Sequence, residues 1–227
     1  MYQQPSNSFN RHLHSSLNTL KNIMNIPSIY QLKKSFQHLL RPLNQHLVHL
    51  GISANQVTLF AFFLSAFWGG ALYLQPTSSF VLLGVPFVLL IRMALNAIDG
   101  MLAREHNMQS NLGTFLNELG DVLSDTALYL PFALHPLVPS SSLIFILFGA
   151  YLTEITGLIA PMIGVSRRYE GPFGKSDRAV AFALLAVLLS QAPTLSTWLI
   201  PYLLYLMLFL TLLTTLNRVR SALREAS

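Results

Sequence analysis

Cysteine is absent from this chain of 227 residues. That excludes a disulfide, a thiolate nucleophile and a cysteine-ligated metal, and it leaves the redox compartment open. Charge is scarce as well: Asp, Glu, Lys and Arg together make up 10% of the residues, against 52% apolar. Only nine residues are acidic. An early apolar stretch is also missing, which argues against a cleaved signal peptide. What is abundant is apolar sequence in long runs. Mean hydropathy is +0.50, too apolar for an ordinary soluble domain. Crossing a ~30 Å hydrocarbon core takes ~20 apolar residues as a helix. The length suits one domain, and the formal charge of +5 is better spent on topology and anionic headgroups than on nucleic acid.

Six spans are predicted, giving an all-α polytopic membrane protein. They run over about 56–75, 80–103, 113–135, 141–165, 179–191 and 197–216. The fifth is short and is expected to begin in the preceding loop or to lie tilted. The loops QPTSS, PLVPSS and APTLS, after the first, third and fifth spans, hold no Lys or Arg. The opposite side holds Lys33, Lys34, Arg41, Arg104, Arg167, Arg168, Lys175 and Arg178, then Arg218, Arg220 and Arg224. The positive-inside rule therefore puts both termini in the cytoplasm.

Residues 1–28 are polar and rich in Asn and Ser, and their composition predicts poor order. Residues 29–54 read as an amphipathic interfacial helix, followed by the six-span domain at 55–218 and a basic tail at 219–227. Ile29, Leu32, Phe36, Leu39 and Leu40 share one face, with Lys33, Lys34, Gln37 and Arg41 mostly on the other, as for a helix lying on a membrane surface. Pro42 is expected to kink or divide it. His38, His46 and His49 read as interfacial polar residues, because nothing nearby completes a metal site.

The stretch NAIDGMLAREHNMQSNLGTFLNELGD, Asn96 to Asp121, concentrates the charge. Ionisable residues inside a span are costly and usually mark function. Arg92, Asn96 and Asp99 line one face of the second span, and Gly113, Asn117, Asp121 and Asp125 one face of the third. Two oxygen-rich stripes facing each other near the cytoplasmic surface could enclose a hard divalent cation. Gly100 and Gly113 would let a bulky ligand such as a nucleotide approach the backbone. The competing explanation is structural: interhelical hydrogen bonds or ion pairs, such as Arg92 with Glu154. Regular spacing on adjacent helices beside bare glycines favours a ligand site.

This stretch resembles the CDP-alcohol phosphotransferase family, whose signature is D-x-x-D-G-x-x-A-R-x8-G-x3-D-x3-D. Asp99, Gly100, Ala103, Arg104, Gly113 and Asp121 match it at the right intervals. SANQVT, from Ser53 to Thr58 and containing Asn55, resembles the segment opening the family's first span. GPFGKSDR, from Gly171 to Arg178, resembles its Gly-Lys loop. The resemblance implies six helices around a cytoplasm-facing polar cavity, commonly in a homodimer, with a bacterial inner membrane as the expected location. It implies transfer of a substituted phosphate from a CDP-linked lipid or alcohol to an acceptor hydroxyl, with release of CMP. Mg²⁺ or Mn²⁺ would be held at the signature positions Asn96, Asp99, Asn117 and Asp121. Asp121 would be the general base, and Gly100, Arg104 and Ser110 would contact the CDP, in a site that also takes in Asn55, Thr58, Ala103 and Gly113. Lys175 and Arg178 would either hold a phosphate, on the donor or on a phosphorylated acceptor, or only serve topology.

The departure is that the signature's first and third Asp are Asn96 and Asn117. An amide oxygen ligates a hard cation without adding charge, so metal is expected to bind more weakly or in smaller number. Asp125, one turn beyond Asp121, is a candidate to restore charge. Glu118, turned ~100° from Asn117, is not a replacement for it. Two readings of another class stay open: a catalytically silent relative that binds CDP-lipid or a partner, and an ion-coupled transporter using Asp99, Asp121 and Glu154. The latter lacks the internal repeat that transporters usually show. The acceptor is undetermined. Glu154, with Thr153 and Thr156, is a candidate to meet its hydroxyls or amine, and the basic residues near the cavity lean towards a phosphorylated one.

Overall fold

Ser53 opens the first apolar helix with a capping box: its hydroxyl accepts from the Gln56 amide, and the Gln56 side chain accepts from the Ser53 amide. Two otherwise unpaired amides are satisfied this way. The computed structural model describes residues 29–226, and the polar segment 1–28 lies outside them. Seven α-helices follow one another among the described residues: α1 (Ile29–His49), α2 (Ala54–Leu74), α3 (Ser79–Glu105), α4 (Asn111–Tyr129), α5 (Ser140–Ile159), α6 (Lys175–Gln191) and α7 (Pro193–Ala226). Short 3-10 turns at Leu130–Leu134 and Ala160–Ile163 extend α4 and α5. No strand occurs among the described residues. The chain divides into two units, 1–41 and 42–227. The helix α1 continues through Pro42, so the proline does not divide it.

Four segments are long and apolar enough to cross a membrane: Ala54–Leu74, Ser79–Glu105, Ser140–Ile163 and Thr194–Ala226. They match the first, second, fourth and sixth predicted spans. The other two correspond to α4 with its 3-10 extension and to α6, which has only 17 residues. A helix whose inner stripe carries Asn117, Asp121 and Asp125 loses average hydropathy to that stripe, which is why α4 does not stand out by composition.

In the second unit α2 packs against α3 and α4, α3 against α6, and α5 against α7. Leu72, Val85, Leu128, Phe132, Ile146, Phe182 and Leu204 fill the centre, and Tyr129 stacks on Phe182 with ring centroids 3.9 Å apart. The outer faces are apolar too. Phe63, Phe67, Phe87 and Phe145 are all exposed, which suits a surface that meets lipid rather than water. The protein is thus an all-helical polytopic membrane protein. Arg92 and Asp99 of α3 and Ser124 and Asp125 of α4 are buried among the polar residues of its interior.

Candidate active site

Three helix ends build the site. The C-terminal half of α3 supplies Arg92, Asn96, Asp99, Gly100, Ala103 and Arg104. The N-terminal half of α4 supplies Gly113, Asn117 and Asp121, and α2 contributes Asn55 and Thr58 from its first turns. Ser110 caps α4, its Oγ accepting from the Gly113 amide at 2.9 Å. The link between α3 and α4 turns through Asn107 at φ +55°, a left-handed conformation Asn tolerates better than most residues.

A cavity of about 330 Å³ opens between these ends, within the ~300–1,000 Å³ of small-ligand sites. Asn55, Thr58, Asp99, Gly100, Ala103 and Arg104 line one part of it. Ser110, Gly113, Asn117 and Glu118 line another. The candidate nucleotide contacts predicted from the signature therefore converge on one space. The glycines have local reasons to be there. A Cβ on Gly113 would come within 2.7 Å of Asn55 Oδ1 and 3.0 Å of Ser110 Oγ, so the bare Cα lets α2 and the α4 cap close together. A Cβ on Gly100 would meet the Arg104 guanidinium at 3.0 Å, so that guanidinium lies against the bare backbone at the cavity wall.

Asp99 is buried and accepts from Thr58 Oγ1 at 2.8 Å through Oδ2. Asp121 Oδ1 accepts from Asn96 Nδ2 at 3.2 Å and pairs with the Lys175 ammonium. Its main-chain carbonyl accepts from Arg92 Nη2 at 3.1 Å. No three His, Asp or Glu side chains converge among the described residues. The oxygens on offer are two carboxylates, Asp99 and Asp121, and the two amides, Asn96 and Asn117. Hard divalent cations take such oxygens, and an amide turned end for end presents its oxygen instead of its nitrogen. The set fits a divalent cation by chemistry, with two charges rather than four.

A second recess, about 10 Å³, adjoins Asp121 and is lined by Asp125, Tyr151, Glu154, Lys175 and Arg178. Asp125 does not face the candidate metal positions as an uncommitted charge. It lies between Arg92 Nη1 at 2.5 Å and Arg178 Nη2 at 3.4 Å. Arg92 therefore pairs with Asp125 and not with Glu154. Glu154 instead takes Arg178 Nη2 at 2.9 Å and Arg218 Nη1 at 3.8 Å. Thr153 joins the network: its Oγ1 accepts from Arg178 Nη1 at 3.2 Å and its carbonyl from Arg218. Thr156 points elsewhere, to the Leu152 carbonyl. Glu118 is held by both Nη atoms of Arg167.

Arg218 was missed as a site residue. In sequence it is one of three arginines after the last span and carries no signal beyond topology. Among the four signature positions for metal, Asn96 and Asp121 touch directly, and Asp99 and Asn117 both line the larger cavity.

Known proteins share this arrangement of chain. Over 197 residues the protein is 48% identical to the inner membrane protein YnbA of Escherichia coli (strain K12), covering 86% of this chain and 96% of that one. It is 31% identical over 138 residues to the archaetidylinositol phosphate synthase of Pyrococcus horikoshii, covering 58% and 71%. The crystal structure of the phosphatidylinositol phosphate synthase of Mycobacterium tuberculosis with CDP-DAG bound matches the fold with TM-score 0.65 at 19% identity, over 80% of this chain and 92% of that one. The same synthase in complex with manganese and citrate matches with TM-score 0.65 at 18% identity, over 80% and 87%. The family model for CDP-alcohol phosphatidyltransferase matches residues 51–218. That range takes in α2 to α6 and most of α7, with every helix end that builds the cavity, and the chain belongs to the CDP-alcohol phosphatidyltransferase family.

Proposed function

We propose that the chain transfers a phosphatidyl group from a CDP-linked lipid such as CDP-diacylglycerol to an alcohol, releasing CMP in phospholipid synthesis. The observation that carries this reading is the single cavity shared by Asn55, Thr58, Asp99, Gly100, Arg104, Ser110 and Gly113, with Asp121 on the wall of the recess beside it. In this reading the glycines, Ala103 and Ser110 admit the nucleotide, and Arg104 meets its phosphates as a planar cation. Asn96, Asp99, Asn117 and Asp121 would hold Mg²⁺ or Mn²⁺. When bound, such an ion neutralises charge on the diphosphate and on the departing CMP.

The remaining chemistry falls to the chain. Asp121 accepts the proton of the acceptor hydroxyl as its oxygen bonds to the lipid-side phosphorus. The bond from that phosphorus to the bridging oxygen breaks, and the oxygen leaves with CMP. Thr58 fixes the rotamer of Asp99, Asn96 that of Asp121, and Arg92 the backbone beneath it. Lys175 offsets charge at Asp121, and Arg178 acts through Glu154 and Asp125. Basic loops on one side support cytoplasmic termini in an inner membrane, and the family resemblance supports a homodimer.

The two amides and the Lys175–Asp121 pair favour a second reading, a relative that binds CDP-lipid without turnover. Purified protein with CDP-diacylglycerol, Mn²⁺ or Mg²⁺ and a panel of alcohols separates them. Metal-dependent CMP release that disappears in Asp121→Asn supports the transferase. Nucleotide binding without release from any alcohol supports the silent binder.

A further inference from the structure

The segment between α5 and α6 is seated on the end of α7. Glu225, in the last turn of α7, accepts from the Ser166 amide at 3.0 Å and from the Arg168 guanidinium. Arg168 also donates to Glu170 at 3.0 Å, and Arg218 Nε donates to the Glu170 carbonyl at 3.3 Å. Further along, the Phe173 amide donates to Thr214 Oγ1 at 2.9 Å. Gly171, at φ +132°, lies so close that a Cβ there would stand 2.9 Å from the Thr214 Cα. Glu225 lies beyond residue 218, where the family match ends.

Arg167 sits between the two neighbours that Glu225 holds, and it reaches α4. Both its Nη atoms donate to the Glu118 carboxylate, Nη2 at 2.8 Å. The Tyr169 ring centre lies 5.0 Å from its guanidinium carbon, within cation–π range. Glu118 belongs to the wall of the larger cavity, where Asp99 and Arg104 are the other charged side chains. Left free, Glu118 would set two acids against one cation there. Like charges brought together away from bulk water repel strongly, so that wall would oppose an anion. A bidentate guanidinium cancels the carboxylate's charge, and Arg167 supplies it from behind the lining residues.

We infer that Arg167 masks Glu118 so that the larger cavity can take an anionic ligand such as the diphosphate of CDP, and that Glu225 is the positioning residue that holds Arg167 in register. This deepens the nucleotide reading of the cavity and is independent of turnover. The competing explanation is a plain structural tie between α4 and the segment before α6, in which either partner of the pair matters equally.

The two differ in how binding responds to single and double variants of the full chain in nanodiscs with Mg²⁺. The probes are CDP, pyrophosphate and uncharged cytidine. Arg167→Met is expected to weaken CDP and pyrophosphate by about ten-fold, as an exposed like charge requires, and to leave cytidine unmoved. Adding Glu118→Gln to Arg167→Met should restore most of the loss. Glu118→Gln alone should bind CDP at least as tightly as the unaltered chain. Glu225→Ala should weaken CDP by about two- to five-fold, the range for a half-exposed ion pair, and each loss should shrink as salt is raised. Arg167→Met that keeps full CDP affinity overturns the proposal, as does a double variant without recovery, a weakened Glu118→Gln, or cytidine lost as steeply as CDP. An unmoved Glu225→Ala overturns its positioning role. A chain that binds CDP and never releases CMP loses the transferase reading, while the affinities still decide this one. A chain that binds pyrophosphate and not CDP loses the nucleotide reading, and the pyrophosphate affinities decide by the same criteria. An unaltered chain that binds neither anion overturns the proposal.

Discussion

Asp125 on α4 is clamped between Arg92 of α3 and Arg178 of α6, with Arg92 Nη1 2.5 Å from one carboxylate oxygen and Arg178 Nη2 3.4 Å from the other. All three side chains are buried. One carboxylate thereby ties three helices together inside the bundle and fixes the α4 backbone one turn from Asp121. Removing it would strand two arginines in a low-dielectric interior. Asp125→Ala is therefore expected to destabilise the protein by ~3–5 kcal/mol, the cost of breaking a buried pair from one side. Thermal unfolding in detergent reads this as a large fall in midpoint. A midpoint unchanged from that of the unaltered chain would mean that the clamp is not structural.

Asp121→Asn is expected to lower CMP release by ~10²–10⁴-fold, the range for loss of a positioned general base. The fold and nucleotide binding should persist, because the larger cavity draws its walls from other residues. Circular dichroism and CDP binding serve as controls. A variant that folds, binds and turns over at the original rate would remove Asp121 from the role of base.

Thr58→Val tests the support of Asp99. The hydroxyl donates to Asp99 Oδ2 at 2.8 Å, and partners that orient a metal ligand typically contribute ~10–100-fold in affinity. Titration with Mn²⁺ followed by electron paramagnetic resonance should show weaker binding by that order. Binding as tight as before would mean that Asp99 is either held by other groups or is not a ligand.

Gly113→Ala probes the close approach of α2 and α4. The added methyl would stand 2.7 Å from Asn55 Oδ1 and 3.0 Å from Ser110 Oγ, so both must shift, and both line the larger cavity. Weaker CDP binding, by roughly ten-fold, is expected for a displacement of this kind, a change of about 1.4 kcal/mol. Isothermal titration with CDP checks it, and unchanged affinity would separate these two side chains from the nucleotide.

The loop before α6 should respond to acid. Burial pushes Glu170 up, but hydrogen bonds from its own amide, the Arg168 guanidinium and the Tyr169 amide outweigh it and hold its carboxyl below the usual 4.5. A carboxyl depressed in the folded state contributes stability that is fully present above its unfolded value and is lost as pH falls through the folded one. Unfolding midpoints of the unaltered chain and Glu170→Gln should differ at neutral pH and converge at pH below 4.5. The half-exposed position of Glu170 keeps the difference small. A gap that persists in strong acid would show that charge at Glu170 is not its source.

Much of the site was legible because helix geometry acts over short range. The spacing of Asn96, Asp99, Gly100 and Arg104 fixes which side chains share a face of α3, and that of Gly113, Asn117 and Asp121 does the same for α4. Nothing in that spacing chooses partners across a gap between helices. Asp125 and Glu154 were equally available to Arg92 in sequence, and only the packing of α3 on α6 with α4 alongside gives Arg92 to Asp125. Glu154 faces Arg178 and Arg218, which are 24 and 64 positions further along the chain.

By itself the sequence determined the helical class, the apolar lengths, the asymmetry of charge between the two sides and the signature that holds Asp99, Arg104 and Asp121. These depend on composition and on periods of a few residues. The tertiary structure alone decided which charges are spent on one another. It joined Asn96 and Lys175 to Asp121, closed Asp125 between two arginines, and set Glu154 against Arg178 and Arg218. Ion pairing falls off steeply with distance and desolvation, so it is settled by ångström-scale placement of side chains from remote segments, which only the folded bundle supplies.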